Sequence, residues 1–313
     1  MKKSIVPFVL CMIFGFLLLF PLEALTASKE GLLLWFDTLL PTLLPFLILS
    51  QLILKTSVID SLQKIFAPIF CRLFHCSSNG AFCVLCGFLC GYPVGARLIS
   101  LSIKEDRLKL SEGQYLLGFC NNVSPMFCIS YGILKGIGTT QIIPYLCIIY
   151  GSALLLSLIL RPKHFSISHS KTKKQTSSPE NIFQLIDVCI IDSFLILIKL
   201  CGYLILFSLI QKGLSMILPA SPFLTPFLAS ILEITNGLSA ISKLPPGTIR
   251  SAMAVMALSF GGLCCIFQTN SVIADSGLSL KKYTLHKILT ALFSVFFCFL
   301  WQFFYWFSTN RWS

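Results

Sequence analysis

The residues that could do chemistry in this sequence are a few polar side chains set inside long apolar runs. Asn121, Asn122 and Ser124 precede Pro125 in the segment FCNNVSP. Neighbouring amides offer hydrogen-bond donors and acceptors, and the proline leaves a backbone carbonyl without its helical donor. We interpret the three polar residues as candidate ligands for a polar solute, with hydrogen bonding between helices as the alternative.

A carboxylate stands in a second apolar segment, LEITNG. Glu233 is followed there by Thr235 and Asn236. An ionisable residue inside a membrane is costly and is a functional hypothesis by default. Glu233 could carry a coupling proton, bind a cation, or pair with Arg97 or Lys199. We include Glu233, Thr235 and Asn236 among the candidate solute ligands.

Three further residues complete the candidate set. Tyr92 lies in the segment GFLCGYPVG and could stack on an aromatic ligand or lie in an aromatic belt at the membrane surface. Arg97 follows that segment and could face an anionic solute, or extend to the inner surface near Lys104. Gln268 begins the polar run 268–270 and could line a solute pathway.

Each of these candidates lies near glycine or proline residues that are expected to interrupt a helix. The predicted hinge residues are Gly87, Gly91, Pro93, Gly95, Pro125, Gly237, Gly261 and Gly262. Non-helical backbone at membrane depth is tolerated only where protein buries it or water reaches it. The N-termini of half-helices carry partial positive charge and suit carboxylates. Several breaks that met near the bilayer centre would form a polar site with few charged side chains.

The composition predicts the elements that must position these residues. Hydrophobic residues make up 56% of the 313 residues, charged residues make up 12%, and the mean hydropathy is +0.85. Several apolar runs reach about 20 residues, the length that crosses a bilayer. The fold class is therefore an all-α polytopic membrane protein. The net charge of +12 resides mostly between the apolar runs, which is typical of topology determinants rather than of nucleic-acid binding.

Neither an enzyme nor a metal or cofactor site is predicted. Most of the 14 cysteines lie in apolar runs, and the CxxC of Cys83 and Cys86 has no histidine or acidic residue close in sequence. No GxSxG, HExxH or Walker pattern is present. The four histidines fall in expected interfacial or loop positions and are His75, His164, His169 and His286.

Nine apolar segments are candidates for the membrane region. They are 4–25, 34–55, 80–103, 115–136, 140–160, 183–211, 223–242, 251–275 and 288–308. Residues 57–76 are predicted as an interfacial amphipathic helix. The segments 80–103 and 223–242 are interrupted by polar and glycine residues, so we interpret them as re-entrant hairpins, which leaves seven crossings. The first segment is expected to remain as a membrane helix, and a cleaved signal peptide is the alternative.

A cytoplasmic N-terminus satisfies the positive-inside rule with this arrangement. It places inside the basic residues Lys104, Arg107, Lys109, the 161–174 cluster, Lys281, Lys282 and Lys287. The chain then divides into an N-terminal membrane helix (1–30), a first repeat (31–160), a basic cytoplasmic linker (161–182) and a second repeat (183–313).

The two repeats follow the same order of span, hairpin, broken span and span. The sequence FLIL occurs at 46–49 and again at 194–197, and glycine-containing breaks follow each copy at similar distances. Three crossings per half give the halves opposite orientations, as in the inverted repeats of secondary transporters. Chance similarity between leucine-rich helices is the alternative.

Four motifs carry a resemblance to a known family. GFLCGYPVGA, LSEGQYLLGFCNNVSP, LEITNG and LSFGGLCCIFQ resemble, in this order, the YlbJ-type sporulation integral membrane proteins, within the wider group that carries the nucleoside-recognition Gate domain. The resemblance extends from about residue 30 to the last helix. LCCIFQ departs from the family pattern because it lacks a histidine before Gln268.

The resemblance implies a function that the residues alone do not identify. Members of the family are thought to move dipicolinate, a small aromatic dianion, across the outer forespore membrane. We therefore expect a transporter or facilitator of a small anionic solute in a nucleoside-transporter-like fold. A non-transporting assembly protein of spore formation and a nucleoside transporter are the alternatives. The coupling ion is unknown, and the sequence is compatible with a homo-oligomer.

Overall fold

The computed structural model describes residues 2–161, 182–218 and 221–309. Most of the predicted linker 161–182 lies outside these ranges. The described residues are helical, without strands, and connect through short turns. The helices are α1 (Lys2–Leu19), α2 (Pro21–Leu34), α3 (Leu40–Lys55), α4 (Val58–Phe74), α5 (Ser78–Cys90), α6 (Val94–Lys104), α7 (Leu110–Cys120), α8 (Pro125–Phe127), α9 (Ile142–Ile159), α10 (Ile182–Ile217), α11 (Leu224–Leu232), α12 (Ile234–Ile241), α13 (Thr248–Phe260), α14 (Gly262–Ile273) and α15 (Leu280–Thr309). Two π-helical segments, Trp35–Leu39 and Cys128–Ile137, continue α2 into α3 and extend α8.

Five helical segments in the described part of the chain are long and apolar enough to cross a membrane. They are Pro21–Lys55, Ile142–Ile159, Ile182–Ile217, Thr248–Ile273 and Leu280–Ser308. A sixth is obtained if α4 and α5, which meet at 91°, are counted as one bent span. This confirms a polytopic helical membrane protein.

The N-terminal region differs from the predicted pair of spans, 4–25 and 34–55. The first helix ends at Leu19, and a second begins at Pro21, so residues 4–25 are not one helix. Proline is well suited to the first turn of a helix and disrupts the interior of one, which explains the boundary at this position. The helical path from Pro21 then continues to Lys55.

Breaks occur at or beside the predicted hinge residues Gly91, Pro93, Pro125, Gly261 and Gly262. The prediction is wrong for Gly87, Gly95 and Gly237, which lie within α5, α6 and α12, where the missing side chain allows close packing instead. Residues 91–93 separate α5 from α6, and Glu233 separates α11 from α12. Residues 121–124 separate α7 from α8, and Gly261 separates α13 from α14. That the order of span, hairpin, broken span and span repeats in two halves stays a prediction, as do the seven crossings. The side of the membrane on which each hairpin enters and leaves stays a prediction.

Helices that precede the predicted linker pack against helices that follow it. The opening spans α3 and α10 are joined by a hydrogen bond of 3.0 Å from the Gln51 amide to the Ser193 hydroxyl. The closing spans α9 and α15 are joined by one of 2.7 Å from the Gln302 amide to the Tyr145 hydroxyl. The first hairpin contacts α14, and the second contacts the π-helical segment after α8. This pairing surrounds the breaks with helices from both halves.

Large apolar side chains occur on the outer surface of the helices as well as in their packed interior. Leu47, Leu98 and Leu238 are fully buried in the core, whereas Ile198 and Leu292 on the long helices α10 and α15 are exposed. Such an exposed apolar surface is unusual for a soluble monomer and suits contact with lipid. Buried polar side chains within this interior therefore require a specific explanation.

Candidate functional site

The first hairpin contacts both broken spans at its tip. A Cβ atom placed on Gly91 would lie 2.5 Å from the backbone nitrogen of Ser124, in the break between α7 and α8. A Cβ atom placed on Gly261 would lie 2.7 Å from the Tyr92 hydroxyl oxygen. Both glycines have positive φ angles, of 78° and 85°, which disfavour other residues. The absence of a side chain thus allows three of the breaks to adjoin.

The second hairpin joins the same row of breaks. A Cβ atom on Gly262, at the start of α14, would lie 3.3 Å from the Cα atom of Glu233. The breaks therefore follow one another in space from Ser124 through Gly91 and Gly261 to Glu233. The prediction that the breaks meet is confirmed for the described residues.

Asn121 connects four helices at this meeting point. Its side chain is fully buried, and its Oδ1 atom accepts a hydrogen bond of 3.3 Å from the backbone N–H of Ala96, in the first turn of α6. Its Nδ2 group donates to the Thr269 hydroxyl at 3.0 Å and to the Tyr283 hydroxyl at 3.1 Å. The amide group is thus fully used, which suits a position that fixes α6, α14 and α15 relative to the end of α7.

Asn122 has a charged partner. Its Nδ2 group bonds the Phe119 carbonyl, and its Oδ1 atom accepts a hydrogen bond of 2.8 Å from the Lys287 ammonium group. The Lys287 side chain is fully buried, and its nitrogen lies 5.2 Å from the centroid of the Tyr92 ring. This distance is within the range of a cation–π interaction.

We call the buried group of side chains around these contacts the polar cluster. It consists of Tyr92, Asn121, Asn122, Thr269, Tyr283 and Lys287. Each member is less than a tenth exposed. The cluster contains one charged group and several neutral hydrogen-bonding groups, and it lies between the first hairpin, the end of α7, and helices α14 and α15.

The position of Lys287 corrects the sequence interpretation. Lys287 was predicted among the cytoplasmic basic residues with Lys281 and Lys282, because the last span was predicted to begin at 288. The helix begins at Leu280 instead, so Lys287 lies well inside α15. Lys281 and Lys282 are exposed, whereas Lys287 faces the interior.

Lys287 lacks an acidic partner in the part of the chain that the structure describes. No carboxylate oxygen there lies within 4.0 Å of its ammonium group, and its hydrogen-bond acceptor is the neutral amide of Asn122. Buried charges are normally paired or coordinate a metal, because desolvation is costly. A lysine in this state suits the binding of an anion.

The Glu233 carboxylate, unlike the Lys287 ammonium group, forms its hydrogen bonds with the backbone of a neighbouring helix turn. Its side chain is 2% exposed and caps α12, with Oε1 accepting from the Thr235 backbone N–H at 2.9 Å and Oε2 from the Asn236 backbone N–H at 2.7 Å. A carboxylate at a helix N-terminus is favourable because it pairs the free N–H groups and the positive end of the helix dipole.

The predicted alternatives in which Glu233 pairs with Arg97 or Lys199 are wrong. Arg97 forms an ion pair of 3.7 Å with Asp192 of α10 instead. Lys199 is exposed on α10. Roles of Glu233 in proton transfer or cation binding stay predictions.

The remaining candidate residues have local partners. The Ser124 hydroxyl accepts a hydrogen bond from the Phe127 backbone N–H at 3.3 Å and caps α8. The Gln268 amide is buried and bonds the Cys264 sulfur at 3.1 Å. The amide of Asn236 donates to a hydroxyl of α10 at 3.5 Å. Thr235 is buried beside Glu233. Of the predicted ligands, Tyr92, Asn121 and Asn122 therefore come together with Lys287.

Tyr283 and Lys287 are the cluster members that sequence reasoning missed. They are separated by four residues, which places them on one face of a helix. This signal was present in KKYTLHK, but the basic residues of the segment favoured a loop interpretation. Extending the last span back to Leu280 would have revealed it.

Comparison with known proteins gives one similarity over nearly the whole chain. Over 328 aligned residues the chain is 22% identical to the sporulation integral membrane protein YlbJ of Bacillus subtilis strain 168, and the alignment covers 90% of this chain and 78% of the relative. No family model matches the chain, and no solved structure matches it significantly. The chain is thus similar to an integral membrane protein named for sporulation, and its own apolar helices agree with a membrane location.

Proposed function

We propose that this chain is an integral membrane transporter or facilitator of a small anionic solute in sporulation, with dipicolinate as the solute. The observation that carries the proposal is the convergence of the chain breaks on a buried polar cluster whose single charge is a lysine without an acidic partner among the described residues. Sporulation is supported by the similarity to YlbJ. Dipicolinate is suggested by the resemblance of the GYPVGA and FCNN motifs to that family.

Broken helices suit a transport site for a physical reason. A continuous helix uses its backbone groups internally, whereas a break leaves N–H and C=O groups that can bind a solute. Paired broken helices at the interface of two repeats are the usual location of such sites in secondary transporters. Here breaks that precede and follow the predicted linker adjoin, and helices from both parts of the chain surround them, which supports such an interface.

The described conformation is closed around the cluster. Asn121 and Lys287 are fully buried, so a solute can reach them only if a hairpin separates from the broken spans. The contact of Gly91 with Ser124 is where the first hairpin would part from α7 and α8. Opening towards one side of the bilayer and then the other would give alternating access.

We further propose that the N-terminus is cytoplasmic and that the protein resides in the outer forespore membrane. The orientation follows from the distribution of basic residues between the apolar segments. The assignment to the outer forespore membrane rests on the family resemblance alone. The bilayer and the solute are the partners that this function requires.

Uptake of labelled dipicolinate into proteoliposomes containing the purified full chain tests the proposal. Uptake above that of empty liposomes, with or without an imposed proton or sodium gradient, is expected. The response to each gradient would also identify the coupling ion. Failure to exceed empty liposomes under every gradient would contradict transport and favour the assembly role.

Competition identifies the class of solute in the same assay. We expect unlabelled pyridine carboxylates to reduce uptake and nucleosides to leave it unchanged. Inhibition by nucleosides alone would favour the nucleoside transporter.

A further inference from the structure

Two positively polarised groups near the breaks donate hydrogen bonds to asparagine side-chain oxygens. The Oδ1 atom of Asn121 accepts from the Ala96 N–H at the start of α6, and that of Asn122 accepts from the Lys287 ammonium group. These are adjacent residues in the break between α7 and α8. The first half thus presents neutral oxygens to groups that would bind an anion more strongly.

The corresponding group in the second half is already covered by a charged oxygen. The N-terminus of α12 binds both carboxylate oxygens of Glu233, at 2.9 and 2.7 Å. A solute carboxylate would have to displace a charged group there, whereas at Lys287 it would displace only a neutral amide. The exchange is therefore more favourable at Lys287.

We propose that Lys287 binds one carboxylate of the solute, and that the Asn122 oxygen occupies this position in the solute-free protein. This inference rests on the proposed function and identifies the charged ligand and the exchange at its site. Asn122 can release Lys287 without leaving its place, because its Nδ2 group is held separately by the Phe119 carbonyl.

Tyr92 forms the adjoining wall of the proposed site. Its ring lies 5.2 Å from the Lys287 nitrogen. Its hydroxyl is buried and makes no hydrogen bond to any residue that the structure describes. An unpaired buried hydroxyl is costly, and a carboxylate at Lys287 would give it an acceptor. The ligand class is therefore a small carboxylate whose body packs against an aromatic ring.

Replacement of Lys287 gives the first test. Lys287→Met keeps an unbranched side chain and removes the charge, and Lys199→Met is the matched control because Lys199 is exposed on another membrane helix. We expect uptake of labelled dipicolinate to fall about 10- to 100-fold in Lys287→Met, the range for a lost hydrogen bond to a charged group. The control should keep wild-type uptake. Equal uptake by wild type and Lys287→Met would overturn the inference.

Asn122→Asp gives an independent test with almost no change of volume. The new carboxylate would pair permanently with Lys287 and compete with the solute. We expect it to abolish uptake while the thermal unfolding temperature in detergent stays at or above that of wild type. Wild-type uptake by Asn122→Asp would contradict the exchange, even if Lys287→Met failed to fold.

A binding measurement separates this inference from the proposed function. Dipicolinate should raise the unfolding temperature of the detergent-solubilised wild-type chain, the neutral dipicolinamide should not, and the rise should disappear in Lys287→Met. If the wild-type chain binds dipicolinate in this way but transports none, the carboxylate site at Lys287 is supported and the transport function is contradicted. If stabilisation is absent, or equal in both chains, the carboxylate site is wrong.

Discussion

The half of the chain before the predicted linker and the half after it differ in how charge is paired at their breaks. In the second half, Glu233 caps α12 and so pairs its own charge within the hairpin. In the first half, the break at Asn121 and Asn122 offers neutral amides, and the nearest charge is Lys287 from the last helix. The two hydrogen bonds of the Glu233 carboxylate favour a fixed hairpin. The buried ammonium group of Lys287, with a neutral amide as its acceptor, favours exchange of that amide for an anionic ligand.

The observed contacts separate two of the candidate residues. The sequence analysis placed both Glu233 and Asn121 among the candidate solute ligands. The geometry assigns Glu233 to local capping and Asn121 to the connection between four helices. Substitution at the break 121–124 should therefore affect solute uptake most directly. Substitution at the break at Glu233 should affect stability.

The largest effect on stability is expected from glycines that allow close approach. A Cβ atom on Gly237 would overlap the Ser230 Cα atom, and one on Gly87 would lie 2.5 Å from the Cys120 carbonyl oxygen. Gly237→Ala should therefore force α11 and α12 apart, and Gly87→Ala should displace the first hairpin from α7. Each should cost about 3 kcal/mol, measured by thermal unfolding in detergent.

Gly202→Ala is the control for both glycine variants. Gly202 lies within α10, and a Cβ atom there would meet no atom within 4 Å. Alanine is the better helix former, so stability should be unchanged or slightly raised. Equal losses at Gly202 and Gly237 would contradict the packing explanation.

Glu233 variants distinguish capping from proton or cation binding. Glu233→Ala should lower stability by about 2 kcal/mol because the buried N–H groups of Thr235 and Asn236 lose their acceptors. Glu233→Gln keeps an acceptor and should lose less, and its uptake should stay within about threefold of wild type. Complete loss of uptake by a stable Glu233→Gln protein would assign a transport role to the carboxylate.

Asn121 and Asn236 are amides beside breaks on opposite sides of the predicted linker. Asn121→Ala removes bonds to three partners, including the N-terminus of α6, and should lower both stability and uptake, with a stability cost of about 1 to 2 kcal/mol. Asn236→Ala removes a side-chain bond of 3.5 Å and should have a smaller effect. A larger loss of uptake in Asn236→Ala than in Asn121→Ala would show that the solute site lies at the break at Glu233.

The smallest effect is expected at the ion pair between Arg97 and Asp192. The side chains are 18% and 34% exposed, and the pair is 3.7 Å long. Partly exposed pairs contribute little, so Asp192→Asn should change the unfolding free energy by less than about 1 kcal/mol. A large loss of uptake with unchanged stability would instead identify the pair as part of the solute pathway.

Local features were predictable and long-range partners were not. Glycine and proline act through their own backbone, so the breaks at 91–93, 121–124, 233 and 261 could be located from the sequence. The partner of Arg97 depends on which face of α10 packs inward, which an apolar run does not reveal. Lys287 was misplaced because a basic segment before an apolar run is typical of a loop, although here the helix begins at Leu280.

The most direct measurement is dipicolinate uptake by Lys287→Met and Glu233→Gln proteoliposomes, prepared side by side with equal amounts of folded protein. We expect loss of uptake in Lys287→Met and retention of uptake in Glu233→Gln, because solute exchange occurs at Lys287 and Glu233 caps α12. Retention in Lys287→Met together with loss in Glu233→Gln would contradict it.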